Sequence, residues 1–207
     1  MTTKFSTTYK IYINHTDAGG IVYHANHLIF LENCRRDWLA SLGFDGYFPQ
    51  GEHQNHQIKY PMKRDFYAKL ISYIDTLKQQ GREIMVMGDM NVAPSDNDVG
   101  IGSHVAKRWQ DNGICSFLPE ERLWYQALLD TDLTDTYRQH YPDTQEYSWF
   151  DYRSRGFDDN PKRGLRIDHI LCTPALAKNC LSAGIDYTTR AQEKPSDHAP
   201  VWAKFDI

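Results

Sequence analysis

Apolar and polar positions alternate along the chain with two clear periods, and each predicts a type of element. Phe66, Leu70, Ile74 and Leu77 recur at spacings of three and four, so residues 65–80 are expected to form an amphipathic helix stopped by Gly81. Residues 28–42 carry a similar stripe of Leu28, Leu31, Trp38, Leu39 and Leu42, with charges at Arg35, Arg36 and Asp37 on the other side. Shorter helices are expected around 104–111, after Pro119 with Leu123, Trp124, Ala127 and Leu128 inward, and over 174–181. Strand patterns fall at 9–14, at the apolar run ending on Asp89, and at 149–152, 165–171, 185–190 and 201–205, with a polar loop over 91–102.

Three of these strand patterns end in or enclose polar clusters. Gly88-Asp89-Met90-Asn91 closes an apolar run expected to be a buried strand. Asp168 sits inside Leu165-Arg166-Ile167-Asp168-His169-Ile170-Leu171, and Asp197-His198 precedes the last strand. Taken singly, each has an ordinary structural explanation: a turn before Pro94, a satisfied strand carboxylate, a strand cap. Three such clusters at strand ends point to one site.

Composition narrows the class. The chain has 207 residues, 41% hydrophobic and 24% charged, which suits a soluble globular protein. No apolar stretch is long enough to span a membrane and the N-terminus lacks a signal-peptide pattern, so a cytoplasmic protein without membrane association is expected. Cys34, Cys115, Cys172 and Cys180 are scattered without CxxC pairing, so they are expected to be reduced packing residues. A net charge of -4 does not by itself indicate a nucleic-acid binder. The stretch holding Arg153, Arg155, Lys162, Arg163 and Arg166 against Asp158 and Asp159, beside Trp149 and Phe150, is a candidate DNA-facing loop, although such runs are more often solvated surface.

Gly88-Asp89-Met90-Asn91, Leu165-Arg166-Ile167-Asp168 and Ser196-Asp197-His198-Ala199-Pro200-Val201 resemble the motifs of the endonuclease/exonuclease/phosphatase superfamily. Ser116-Phe117-Leu118-Pro119-Glu120-Glu121-Arg122 and the stretch from Ser148 to Asn160 narrow the resemblance to the exonuclease III group, from about Tyr47 onward. It implies an α/β fold: one half of a four-layer sandwich of two sheets. It also implies magnesium-dependent (manganese being an alternative) hydrolysis of double-stranded DNA at abasic sites or 3′ ends. In that pattern Asp89 orients and deprotonates water, and Asn91 donates to a phosphate oxygen or to Asp89. His198 faces the phosphate, kept basic by Asp168, and Asp197 binds the metal. Tyr47 and Gln50 reach the phosphate, Trp149 and Phe150 shape a pocket for a flipped sugar, and Arg153, Arg155 and Arg166 face DNA.

Residues 1–46 differ. Thr16-Asp17-Ala18-Gly19-Gly20-Ile21-Val22-Tyr23-His24 resembles the opening of hotdog-fold acyl-CoA thioesterases, with Asp17 as the carboxylate and His24 its neighbour, though His27 departs from the expected aromatic. Only the first strand and the helix of that fold are present. The expected division is therefore a truncated hotdog-type segment over 1–46 and a nuclease-like half over 47–207, joined at Gly46-Tyr47-Phe48. The Asn and Glu metal ligands that the other half of the nuclease fold supplies are not recognisable before Tyr47. Impaired activity is one consequence of that reading, and an inactive hybrid is another. A further one is an uncovered sheet face of roughly 400–500 Å², open to self-association.

Overall fold

The period-3.6 pattern around Phe66, Leu70, Ile74 and Leu77 does form a helix, α2, spanning Lys59–Gln79 in the computed structural model of the chain. It begins six residues before the expected start, because Pro61 lies in the first turn, where a missing N–H removes no intrahelical bond. It ends as expected: Gly81 adopts φ +68, its N–H donates to the Lys78 carbonyl and that of Arg82 to the Leu77 carbonyl. The structure describes residues 6–12, 15–16, 22, 24–41 and 52–206. The chain divides into two units, Met1–Phe48 and Pro49–Ile207.

In the first unit, helix α1 spans His24–Ser41. Tyr9 stacks on Phe30 with ring centroids 5.5 Å apart and donates its hydroxyl to Asp37 at 2.9 Å. The strand expected at 9–14 is not formed over residues 9–12, and 13–14 lie outside the described residues. An isolated strand leaves its backbone groups without partners, and the described residues of this unit offer only the bridge between Thr16 and Val22. Of the apolar stripe of α1, Leu31 is 67% exposed and Trp38 is exposed too, while the side chains of Leu28, Leu39 and Leu42 lie outside those described.

The second unit continues with β1 (Met85–Asp89), a 3₁₀ turn (Asp96–Asp98), α3 (Ser103–Asp111), α4 (Pro119–Leu129), β2 (Thr134–Asp135) and α5 (Thr136–His140). It closes with β3 (Asp168–Cys172), α6 (Pro174–Lys178), β4 (Cys180–Ile185), α7 (Tyr187–Arg190) and β5 (Val201–Phe205). β1, β3 and β2 form an antiparallel sheet in that spatial order, and β4 pairs antiparallel with β5. Alternation along β1 and β3 turns Val86 and Leu171 toward α2 and α4, where they join Tyr67, Ile74, Tyr125 and Leu128 in the main core. Asp89, Met87, Ile170 and Asp168 share the opposite face. β1 is an edge strand and Met87 is 63% exposed, so the strand expected to be buried is buried on one face only.

Three other strand expectations change. At 149–152 Trp149 bridges both Leu165 and His198, but Phe150 turns its N–H to the Asp197 carbonyl and a turn follows, so no strand extends. Residues 180–185 form a strand where a helix was expected to run on to Leu181. Residues 187–190 form a helix where a strand was expected, because the Asp186 carboxylate caps it by accepting from the Thr189 N–H and hydroxyl. Leu165 makes isolated bridges ahead of β3, which starts only at Asp168. The four cysteines are free, three of them buried. No helix among the described residues is long and apolar enough to cross a membrane.

Candidate active site

Antiparallel register brings the two strand carboxylates together: Asp89, the last residue of β1, pairs with Asp168, the first of β3. The loop before β5 adds His198, whose Nδ1 lies 2.8 Å from Asp168 Oδ2 and whose Nε2 lies 4.0 Å from Asp89 Oδ2. Asn91 follows β1 in left-handed backbone, φ 50, a conformation that Asn tolerates better than most residues. There its backbone N–H donates to Asp89 Oδ1 at 2.8 Å and its carboxamide to Asp89 Oδ2 at 2.6 Å. Of the two acceptors expected for the Asn91 amide, the structure shows the Asp89 carboxylate.

These contacts set the electrostatics. Burial, and then the facing Asp168 carboxylate, push the Asp89 carboxyl up to about 6, against the opposing pull of His198 and the Asn91 N–H. Burial alone would lower the His198 imidazole; the hydrogen bond and charge of Asp168, with the charge of Asp89, outweigh it and raise the ring. In both groups the surroundings therefore favour the protonated form more than water would, by burial in the carboxyl and by facing carboxylates in the ring.

The turn carrying Asn91 is held from beneath by groups that the sequence did not single out. Lys63 of α2, fully buried, donates to the Asn91 carbonyl at 2.8 Å and pairs with the equally buried Glu121 of α4. Glu121 in turn accepts the Leu118 N–H, and Tyr67 donates to the Met90 carbonyl at 2.8 Å. On the β3 side, Ser148 Oγ accepts the N–H groups of Ile167 and Asp168. Lys63 and Tyr67 lie one helical turn apart on the inner face of α2, a signal visible only once the helix is allowed to start before Pro61.

Asn91, Trp149 and His198 line a cavity of about 410 Å³, together with Glu52, His53 and Trp109. The last three carried no motif and were missed. Trp109 is fixed by stacking on Phe117 with centroids 6.0 Å apart. Asp197, expected as the metal ligand, accepts the Trp149 indole N–H at 3.0 Å. Among the described residues, Asp89, Asp168 and His198 are the ones whose ligand atoms gather within 4.8 Å of one another. Two half-buried carboxylates that repel each other, with an imidazole beside them, fit a hard divalent cation.

Two expected substrate contacts are corrected. Phe150 is wholly buried, packed on Tyr147, Ala199 and Phe157, and cannot shape a sugar pocket. Arg166 is 1% exposed and cannot face DNA, because it pairs with Asp98 at 2.6 Å and with Asp135 at 2.8 Å inside the fold. Burial opposes ionisation of Asp135, but Arg166 and His169 outweigh it and hold the carboxyl far below its ordinary range. His169 Nε2 donates to the Val92 carbonyl at 2.8 Å, which ties this network to the strand-end turn of β1. Of the remaining basic run, Arg163 pairs with Asp159 and Lys162 lies 3.8 Å over the Phe157 ring, while Arg153 and Arg155 stay exposed. Tyr47, Gln50 and Asp17 lie outside the described residues, as does the side chain of His24.

Comparison with known proteins accounts for much of this arrangement. An exodeoxyribonuclease III of Haemophilus influenzae is 55% identical over 162 residues, 78% of this chain and 60% of the relative. The solved 3′ phosphatase NExo from Neisseria, bound to product DNA hairpin, is similar at a TM-score of 0.68 and 38% identity, covering 78% of this chain and 59% of that one. An acyl-CoA thioesterase, YbgC, of Haemophilus influenzae is 48% identical over 40 residues, 19% of this chain and 29% of the relative. The chain thus spans about 60% of the length of the nucleases it is similar to. The model of the endonuclease/exonuclease/phosphatase family matches residues 3–198, and the chain belongs to that family.

Proposed function

We propose that the chain hydrolyses phosphodiester bonds in double-stranded DNA, at abasic sites and from 3′ ends, with the help of a divalent cation. The observation that carries this reading is the Asp89, Asp168 and His198 cluster, braced by Asn91, at a cavity large enough for one nucleotide unit. Asp89 and Asp168 are the carboxylates that would hold the cation, magnesium or manganese, and it would neutralise charge on the phosphate. Asp197, on the Trp149 indole, is then a support for the cavity wall instead of the ligand expected from the resemblance.

The chain's own residues have separable tasks. Asp89 accepts the proton of the attacking water; a carboxyl poised at about 6 is ionised at neutral pH yet still basic enough to take it. Asn91 fixes the direction of that carboxylate, and each of its oxygens keeps a lone pair free after accepting from Asn91. Protonated His198 donates Nε2–H to the phosphate, and Asp168 keeps the ring charged and oriented. Tyr47 and Gln50 complete the phosphate contacts by resemblance, with Arg153 and Arg155 on the duplex.

The share of its relatives that the chain spans supports weak turnover compared with a full-length enzyme. The purified chain should nick an abasic duplex and shorten a recessed 3′ end slowly, in a magnesium-dependent way, and Asp89→Ala should do neither. Equal, negligible cleavage by both proteins refutes the nuclease reading and leaves an inactive hybrid. The 40-residue thioesterase likeness favours a second activity in the first segment, acyl-CoA hydrolysis through Asp17 and His24. That alternative requires coenzyme A thioester turnover that Asp17→Ala abolishes. The open face bearing Met87 favours self-association, which a concentration-dependent sedimentation coefficient would reveal.

A further inference from the structure

Two arginines are buried in the second unit, and they are treated in opposite ways. Arg166 has two carboxylates. Arg190, the last residue of α7, is only 7% exposed but has no ion pair or side-chain hydrogen bond among the described residues, and its Nε–H is sealed from solvent without an acceptor. Its guanidinium lies instead against three rings: Phe157 at 4.7 Å, Phe150 at 5.7 Å and Tyr152 at 5.7 Å. Ring faces attract a desolvated cation. That recovers only part of the cost of withdrawing a charged group from water, so the group remains short of an anionic partner.

Arg190 lines a cavity of about 310 Å³, and Arg155 lines it too. Arg155 is exposed and held in left-handed backbone, φ 50, with no ion pair among the described residues. Asp151 and Asp158 contribute to the same wall, so the local charge suits a single anionic group, not a polyanion tail. No residue lines both this cavity and the one at the candidate active site, but the same two chain segments contribute to each: Tyr152 and Pro195 line this one, Trp149 and His198 the other, and the Tyr152 hydroxyl donates to the Pro195 carbonyl at 2.6 Å.

We propose that this second cavity is a phosphate subsite, in which Arg190 and Arg155 bind one phosphodiester of a nucleic-acid strand whose adjoining stretch occupies the first cavity. The proposal rests on the DNA reading above. Arg190 supplies two parallel N–H donors from a position fixed by the aromatic rings, a preorganised fork for two phosphate oxygens. Arg155 adds a second, adjustable contact.

The test is side-chain Nε–H nitrogen NMR of the full chain in chelator, titrated with inorganic phosphate and with a short oligothymidylate, the Arg190 signal being identified by its loss in Arg190→Lys. Saturable movement of the Arg190 signal with the oligonucleotide is expected. Arg190→Lys and Arg155→Met, the latter at an exposed position that leaves folding intact, should each weaken oligonucleotide binding about tenfold at low salt. Arg155→Met, which removes a charge, should also lower the salt dependence by about 0.7 in log–log slope, whereas Arg190→Lys, which keeps its charge, should leave the slope unchanged. Oligonucleotide binding that moves Trp149 and His198 while leaving Arg190 still, with both variants unimpaired, overturns the subsite but not the DNA reading. Movement of Arg190 by inorganic phosphate with no oligonucleotide binding anywhere overturns the nucleic-acid assignment and the DNA reading together.

Discussion

The two units of the chain start from similar sequence signals and end differently. Among the residues of Met1–Phe48 whose side chains are described none is buried, although α1 carries the same kind of apolar stripe as α2. In Pro49–Ile207 the stripe of α2 meets α4 and a three-stranded sheet, and Tyr67, Ile74, Tyr125, Leu128 and Leu171 are closed off from water. An amphipathic helix is an offer of apolar surface, and it becomes stable structure only when another element takes up that surface. The second unit also buries charge, in the pairs Lys63–Glu121 and Arg166–Asp98–Asp135, and each pair fixes a strand end that carries a site residue.

The largest expected effects separate the units by stability. Arg166→Met leaves Asp135 buried without its guanidinium partner and Asp98 with Arg138 alone, and should cost about 3–5 kcal/mol in urea unfolding. Leu128→Ala should cost about 2–5 kcal/mol, whereas Leu31→Ala, at an exposed position of α1, should stay within about 0.5 kcal/mol. Similar losses at Leu31 and Leu128 would show that the first unit buries its helix after all. The next effect is in acid. The carboxyls of Asp98 and Asp135 are held below their ordinary range, so their contribution is complete above an unfolded value of about 3.9 and disappears as pH falls through the lower folded values. Melting temperature should therefore drop steeply below about pH 4, and less so in Arg166→Met.

Two smaller effects sharpen the site. Manganese binding, followed calorimetrically, should weaken at least tenfold in Asp168→Asn and little in Asp197→Asn; the reverse order would return the ligand role to Asp197. Asp89→Asn should slightly raise the melting temperature in chelator. The folded Asp89 carboxyl, at about 6, lies above its unfolded value, so the native state loses stability as pH rises from about 4 to 6. The amide escapes that loss, and its advantage should be present at pH 8 and absent at pH 4.

Much of the site was legible because its residues end strands that the sequence marks clearly. Asp89 closes one apolar run and His198 precedes another, Asp168 was expected inside a strand over 165–171 that begins only with it, and β5 falls at the expected 201–205. What escaped depends on distance along the chain. Arg166 looked like one more member of a basic loop, because its partners Asp98 and Asp135 are 68 and 31 positions away. Lys63 and Glu121 are separated by 58 positions; Lys63 lies ahead of the expected helix and Glu121 stood in a motif without a role of its own. The strand expected at 9–14 is not formed over 9–12 for the complementary reason: period-2 patterning says that a strand can form, and only a partner decides that it does.

The central claim is that Asp89 and His198 act on one phosphate as a unit, and a double-mutant comparison tests it most directly. Single-turnover nicking of an abasic duplex would be measured, with magnesium, for the chain, Asp89→Ala, His198→Ala and the double variant. Each single loss is expected to cost about 10²-fold or more, and the double variant little beyond either. Independent, multiplicative losses, or a parent chain with no metal-dependent nicking, would contradict it.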